Sequence, residues 1–401
     1  RDLKILILTN RVPFPPNSGY PIVVYNTIKG LLQLGLEITL FSINTNKHRV
    51  DVDDIYDPVF DSIKFHSFSL DTEVNVWGAL FNVFSNQSYN VSRYFDDEAA
   101  KLLEDILREN EFDIIQLEGL FLLPYLLSVR KFSKAKIVLR AHNIEHLIWE
   151  RNSKMAKPGA KKWYLQSLAA RMKEFEIYNL NSCDALVPIS NIDAAKFVEL
   201  GCKLPIHTTP VGMSLNGIAE SGIGIEPSSL CYIGSMDWLP NREGIEWFLE
   251  VVWPKVLASF PDTKFFLAGR NFPDDFPGHS YPNVEIVGEV ENSHSFLRSK
   301  SMLIVPLFSG SGVRVKIIEA MAEGRPVVST TVGAEGMNAT DNVNILIADT
   351  PDAFARQIKR LLKDQEEANR IGENAKGFIA ENFDNKKIIQ DLLDFYKSIL
   401  K

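Results

Sequence analysis

Short apolar runs alternating with helix-length stretches, twice over, constrain this chain more than any other feature. In the first half the runs fall at 4–10, 36–43, 63–68, 113–118, 136–141 and 184–189. In the second half they fall at 230–234, 264–269, 284–288, 302–307, 326–330 and 344–348. Strands separated by helices make βαβ units, and such units build parallel sheets covered on both faces. The expected architecture is therefore α/β. It has two Rossmann-like, doubly wound domains facing a central cleft, residues 1–205 and 206–384, with a final helix at 385–401 crossing back to the first domain. A polar, proline-bearing passage at 203–210 marks the boundary, and 401 residues suit two cores better than one.

Charge narrows the function. With 45% hydrophobic and 23% charged residues the chain reads as a soluble globular enzyme, and its net charge of −8 argues against general nucleic-acid binding. Cys183, Cys202 and Cys231 are scattered and odd in number, which suits a reducing compartment. No apolar run reaches the roughly 18 residues of a spanning helix, and Arg1-Asp2-Leu3 opens no signal-peptide pattern, so the expected location is cytoplasmic.

The segment 309–330, SGSGVRVKIIEAMAEGRPVVST, carries the chemistry. A glycine-rich turn at Gly310, Ser311 and Gly312 follows a buried-strand pattern and delivers backbone N–H groups to the start of a helix, an arrangement suited to anions. Arg314 and Lys316 place two cations in a first turn that ordinarily favours acids, which points to a bound anion rather than to helix stability. Glu319 follows about one turn on, where a carboxylate can accept hydrogen bonds from the vicinal hydroxyls of a ribose. Phosphate and ribose together imply a nucleotide.

With PFPPNSGY after the first strand, LRAHNIE in the first half and VGM after the linker, the segment KIIEAMAEGRPVVST resembles retaining nucleotide-sugar glycosyltransferases of the GT-B fold, family 4, also called glycosyl transferases group 1. The likeness spans nearly the whole chain. It implies transfer of a sugar from a nucleoside diphosphate to a glycan or lipid-linked acceptor, by resemblance in cell-envelope polysaccharide assembly, without a metal or other cofactor. It also implies roles for individual residues. Glu319 contacts the ribose, Gly310 to Gly312 flank the diphosphate, Val287 and Val290 present backbone to the base, Gly19 lets backbone approach substrate, and His142 reaches the transferred sugar. Two positions depart from the pattern. Ser311 stands where a second glutamate is common, and the loop Gly234-Ser235-Met236-Asp237-Trp238 lacks the usual arginine and lysine, with Arg242 only roughly in place. Arg314 and Lys316 are expected to supply that missing charge.

Other readings compete. His142-Asn143-Ile144-Glu145-His146 satisfies the HxxEH pattern of zinc peptidases, and Asp51-Val52-Asp53 has the form of a metal-binding DxD. Glu118, at the end of a predicted strand, is a candidate acceptor-side contact. Between 151 and 173 lie Arg151, Lys154, Lys157, Lys161, Lys162, Arg171 and Lys173 with no acid, around Trp163 and Tyr164. A basic, aromatic-bearing helix there would dock on an anionic membrane surface, at the inner face, with the apolar stretch 76–84 as a second contact. A sugar-nucleotide epimerase of the same fold and a non-catalytic nucleotide-sugar sensor are the alternative functions.

Overall fold

The computed structural model describes residues 3–17, 19–72, 89–213, 224–310 and 312–401. The chain forms two units, one comprising Arg1–Pro16, Tyr20–Gly212 and Asn385–Lys401, the other Asn17–Gly19 and Met213–Asp384.

The first unit is built on a six-stranded parallel sheet. Its strands are β1 (Lys4–Thr9), β2 (Glu37–Thr45), β3 (Lys64–Leu70), β4 (Ile114–Glu118), β5 (Lys136–Ala141) and β6 (Ala185–Pro188), in the order β3-β2-β1-β4-β5-β6. The inner strands β1, β4 and β5 are almost wholly buried because both faces of the sheet are covered. Alternation within β1 shows this directly. Leu6 and Leu8 enter one core with Leu117, Leu139 and Leu186, while Ile5 and Ile7 enter another with Val24, Ile28 and Val138.

That second core is closed by the last helix, Asn385–Ile399. Its buried residues Ile388, Ile389, Leu392, Leu393 and Tyr396 recur at helical spacing. Gly30, on the helix Gly19–Gln33, permits the approach, since a Cβ there would lie 2.6 Å from Ile389 Cγ1.

The second unit repeats the plan with β7 (Ser229–Ile233), β8 (Lys264–Ala268), β9 (Val284–Gly288), β10 (Met302–Val305), β11 (Val327–Ser329) and β12 (Leu346–Ile347). The order β12-β11-β10-β7-β8-β9 is the same winding read from the other edge. In a sheet so wound, the helices leave β7 and β10 toward opposite faces, and a crevice opens at the carboxyl ends of those two neighbours. The loops that follow β7 and β10 are 234–238 and 306–314.

Two boundaries differ from expectation. The chain leaves the first unit after Gly212 rather than at 205, because 205–209 stays tied to β6: Leu186 N–H donates to Pro205 O, His207 N–H to Leu186 O and Thr209 N–H to Pro188 O. The basic stretch is not one helix. It is divided between Glu145–Met155 and Ala160–Asn179, and the break holds Pro158 and Gly159, the latter at φ 145°. Trp163 remains 62% exposed on the second of these helices. Residues 76–84 lie outside the described residues.

Candidate functional site

In the second unit, β10 runs into a turn in which Gly310 and Gly312 adopt φ of 101° and 78°. At Gly310 a side chain is excluded twice over, by that backbone and by Trp238 Cη2 and Arg314 Nη2, each 3.0 Å from where a Cβ would stand. Ser311 lies outside the described residues. Arg314 is the N-cap of the helix Val315–Ala322. It is buried, donates from Nη1 to Gly312 O at 2.5 Å, and holds its guanidinium carbon 5.9 Å from the Trp238 ring. An exposed position on the helix surface, the ordinary fate of such a charge, is thereby ruled out.

Lys316 turns back toward the end of β7. Its Nζ donates to Tyr232 Oη at 2.7 Å and to Asn241 Oδ1 at 3.3 Å, and lies 4.0 Å from the Tyr232 ring centroid. A Cβ on Gly234 would stand 2.7 Å from that ammonium. Among the described residues these partners are a phenol, an amide oxygen and a π face, none of them a carboxylate. Burial, and then the charge of Arg314, push the Lys316 pKa well below the usual lysine value, with Glu319 opposing. Lys316 thus brings a cation to the loop after β7, where the sequence carries none, whereas Arg242 is engaged by Glu246 at 2.8 Å and Asp275 at 3.5 Å.

Glu319 is buried on the same helix. Ser293 Oγ donates to its Oε1 at 2.9 Å, and His294 Nε2 lies 3.8 Å away. Burial raises its pKa, and the neighbouring His294, Ser293 and Lys316 oppose that rise. His294 also meets Glu323 at 2.9 Å, and Glu323 in turn is held by Arg298 at 2.6 Å. Val287 and Val290 flank Gly288, which ends β9 at φ 77°.

In the first unit, Glu118 and His142 stand at the carboxyl ends of β4 and β5, which are neighbours in the sheet. His142 Nε2 and Glu118 Oε2 are 2.5 Å apart, and the Tyr20 ring lies 4.7 Å from the imidazole. Glu118, the candidate acceptor-side contact, is fully buried and paired with His142. Gly19 is exposed at the first position of its helix, and a Cβ there would meet no atom closer than 3.9 Å.

The HxxEH pattern comes apart here. His142 follows β5, whereas His146 lies on the next helix and is bound through Nδ1 to Glu176 Oε2 at 2.5 Å. The two histidines therefore serve different glutamates. Asp51 caps a short 3₁₀ turn by accepting from Asp53 N–H at 3.3 Å, and both aspartates are exposed. That is ordinary loop chemistry.

Beside His142 is a small cavity lined by Gly119, Ala141, Glu145 and Glu176, among others. Burial, then the charge of Glu176, raises the Glu145 pKa to about 7. A carboxyl whose folded pKa exceeds its unfolded value favours the fold below about pH 4.5 and loses that contribution as pH rises through about 7. Glu145→Gln is therefore expected to be more stable than the parent at pH 8, by on the order of 2 kcal/mol, and little different at pH 4.5. Urea unfolding at both pH values measures this, and a difference that does not change with pH would contradict it.

The fold and the sequence family agree. Residues 227–364 match the family model of glycosyl transferases group 1. The whole chain superposes on sucrose-phosphate synthase from Thermosynechococcus elongatus with a TM-score of 0.72 at 14% identity, covering 99% of each chain. Residues 227–364 form a group 1 glycosyltransferase domain, and the chain is a glycosyltransferase of the GT-B fold. A second solved neighbour of this glycosyltransferase is Anabaena Alr3699/HepE in complex with UDP-glucose, at a TM-score of 0.67 and 14% identity over 99% of this chain and all of that one. An uncharacterized 44.6 kDa protein in the cps region of Klebsiella pneumoniae is 24% identical over 97% of this chain and 98% of its own length.

Sequence reasoning missed Tyr232, Asn241, Ser293 and His294 in this glycosyltransferase. Asn241 and Tyr232 carried no motif, because their role depends on Lys316 folding back across the sheet.

Proposed function

We propose that this group 1 glycosyltransferase moves a sugar, with retention of anomeric configuration, from a nucleoside diphosphate to a glycan or lipid-linked acceptor during cell-envelope polysaccharide synthesis. One observation carries the reading. Lys316 is a cation drawn into the fold beside Gly234, at the carboxyl end of β7, against Tyr232 and Asn241 rather than a carboxylate. Burying a charge without a directly paired carboxylate is costly, and an anionic ligand would offset that cost.

In this reading the diphosphate lies along Gly310, Ser311 and Gly312 with Arg314 and Lys316 beside it. Glu319 accepts the ribose hydroxyls, and the base meets the backbone at Val287 and Val290. Gly19 leaves room for substrate, and His142, in the first unit, meets the sugar in transfer. As the glycosidic bond loosens toward an oxocarbenium-like sugar, negative charge grows on the leaving diphosphate. Two fixed cations stabilise that charge in the transition state more than in the ground state, and no metal is called for. The UDP-glucose held by the HepE neighbour supports a nucleotide-sugar donor, and the cps-region relative supports a polysaccharide setting. The basic residues between 151 and 173, with exposed Trp163, suit contact with an anionic membrane surface at the site of a lipid-linked acceptor.

The test is the product. UDP-glucose, then GDP- and ADP-sugars, are incubated with the protein and a lipid-linked saccharide fraction, and the new linkage is read by proton NMR. Retention is expected. An inverted linkage would contradict the mechanism, and an epimerised donor formed without any acceptor would replace it.

A further inference from the structure

A chain of buried polar groups in the first unit converges on His142. Tyr396, on the last helix, donates its hydroxyl to Gln116 Oε1, and Gln116 Nε2 donates to Glu118 Oε1. Glu118 Oε2 then meets His142 Nε2 at 2.5 Å. Gln116 and Glu118 are two apart on β4 and so project from the same face of the sheet, while Leu117 between them packs into the opposite core. Arg140 sits directly opposite Glu118 in the β4–β5 register, with Nε 3.7 Å from Glu118 Oε2 and Nη2 donating to Thr209 O at 3.4 Å. Tyr20 Oη donates to the Glu118 carbonyl at 3.0 Å while its ring lies against the imidazole.

Tyr396, Gln116, Glu118 and Arg140 are all within about a hundredth of full burial. A sheet interior of apolar side chains would hold this fold at lower cost, since a buried carboxylate and guanidinium each lose several kcal/mol of hydration before their pairing returns any. Burial pulls the Glu118 pKa upward, but the hydrogen bond from His142, with Arg140 and Gln116, outweighs it and keeps the carboxyl ionised. The group at the end of the chain is the one to which a role in sugar transfer attaches.

We propose that Glu118 is a positioning residue for His142. By accepting a hydrogen bond from Nε2–H it fixes the plane and tautomer of the imidazole and directs Nδ1 to the opposite side. Gln116 and Tyr396 hold Glu118 in turn, which makes the last helix part of the machinery that sets His142. The consequence for turnover rests on the reading of His142 as the sugar-contacting residue, whereas the pairing itself does not.

The test separates the two. In the full chain labelled with ¹⁵N, long-range proton–nitrogen correlation reports the protonation of each ring nitrogen of the seven histidines, with His142→Gln supplying the assignment. Wild-type His142 is expected to carry its proton on Nε2. Glu118→Gln is expected to abolish that preference and to lower kcat about 10²–10³-fold with donor KM within about threefold, the pattern of a lost orienting carboxylate. Tyr396→Phe is expected to do the same to a lesser degree, about three- to tenfold in kcat, and it carries the test if Glu118→Gln does not fold. An unprotonated Nε2 in the wild type would overturn the proposal. So would a folded Glu118→Gln protein with unchanged ring signals and unchanged kcat. If the ring signals change as expected but kcat does not, the pairing stands and the sugar-contacting role of His142 falls.

Discussion

Replacing Lys316 by alanine is expected to lower the rate of glycosyl transfer by about 10²–10³-fold, the usual cost of removing one preorganised charge from the path of a leaving group. The expectation follows from where the ammonium is held. Its partners Tyr232 and Asn241 are themselves joined by a hydrogen bond, and Asn241 Nδ2 donates to Ser235 O at 2.8 Å, so the cation is fixed to the backbone of the loop after β7. A flexible surface lysine would have to give up side-chain entropy on meeting the diphosphate, whereas this one is already immobilised. Its lowered pKa also means that an arriving polyanion favours the charged form, so ligand and lysine stabilise each other. Loss should appear in kcat as well as in donor affinity, because the leaving diphosphate is more negative than the bound donor. Steady-state kinetics on Lys316→Ala and Lys316→Met would check it, and a rate within threefold of wild type for both would show that Lys316 is structural.

The largest effect on stability is expected at Gly269. It ends β8 with φ 135°, and a Cβ built there would overlap the carbonyl oxygen of Gly234 at the end of β7. The surrounding contacts are backbone: Gly269 N–H donates to Gly288 O at 2.7 Å and Gly234 N–H to Ala268 O at 3.0 Å. Backbone cannot rotate out of the way as a flexible side chain can, so strain and overlap add. Gly269→Ala should destabilise the second unit by about 4 kcal/mol or more, a fall of roughly 8–16 °C in its melting transition. Gly377, inside the helix Gln365–Asn382 with open space around it, is the control. Alanine there should be neutral or stabilising by up to about 1 kcal/mol. Equal calorimetric losses in the two variants would refute the packing argument.

The same residues show what was legible in the sequence. Inner strands such as β1 and β10 were readable because burial on both faces leaves a continuous apolar run. The glycine turn and the Arg314–Lys316–Glu319 spacing were readable because they are local. The break at Pro158 and Gly159 had a signal in those two residues, but the run of bases around it read as one face. Where 205–209 belongs depended on hydrogen bonds to β6, which composition does not encode. The Glu118–His142 pair is 24 residues apart and exists only because β4 and β5 align with Glu118 opposite Arg140. Lys316 and Tyr232 lie 84 residues apart and meet through the pairing of β7 with β10, so no motif announces them.

The most direct measurement is the melting temperature of the purified protein with UDP, GDP, ADP, CMP and their sugar conjugates, repeated for Arg314→Ala and Lys316→Ala. A ligand that binds only the folded state must raise the transition. A clear rise is expected with one nucleoside diphosphate and its sugar, and loss of that rise in both variants. Stabilisation that survives both substitutions would place the diphosphate elsewhere, and no stabilisation by any nucleotide would contradict the donor site described for the second unit.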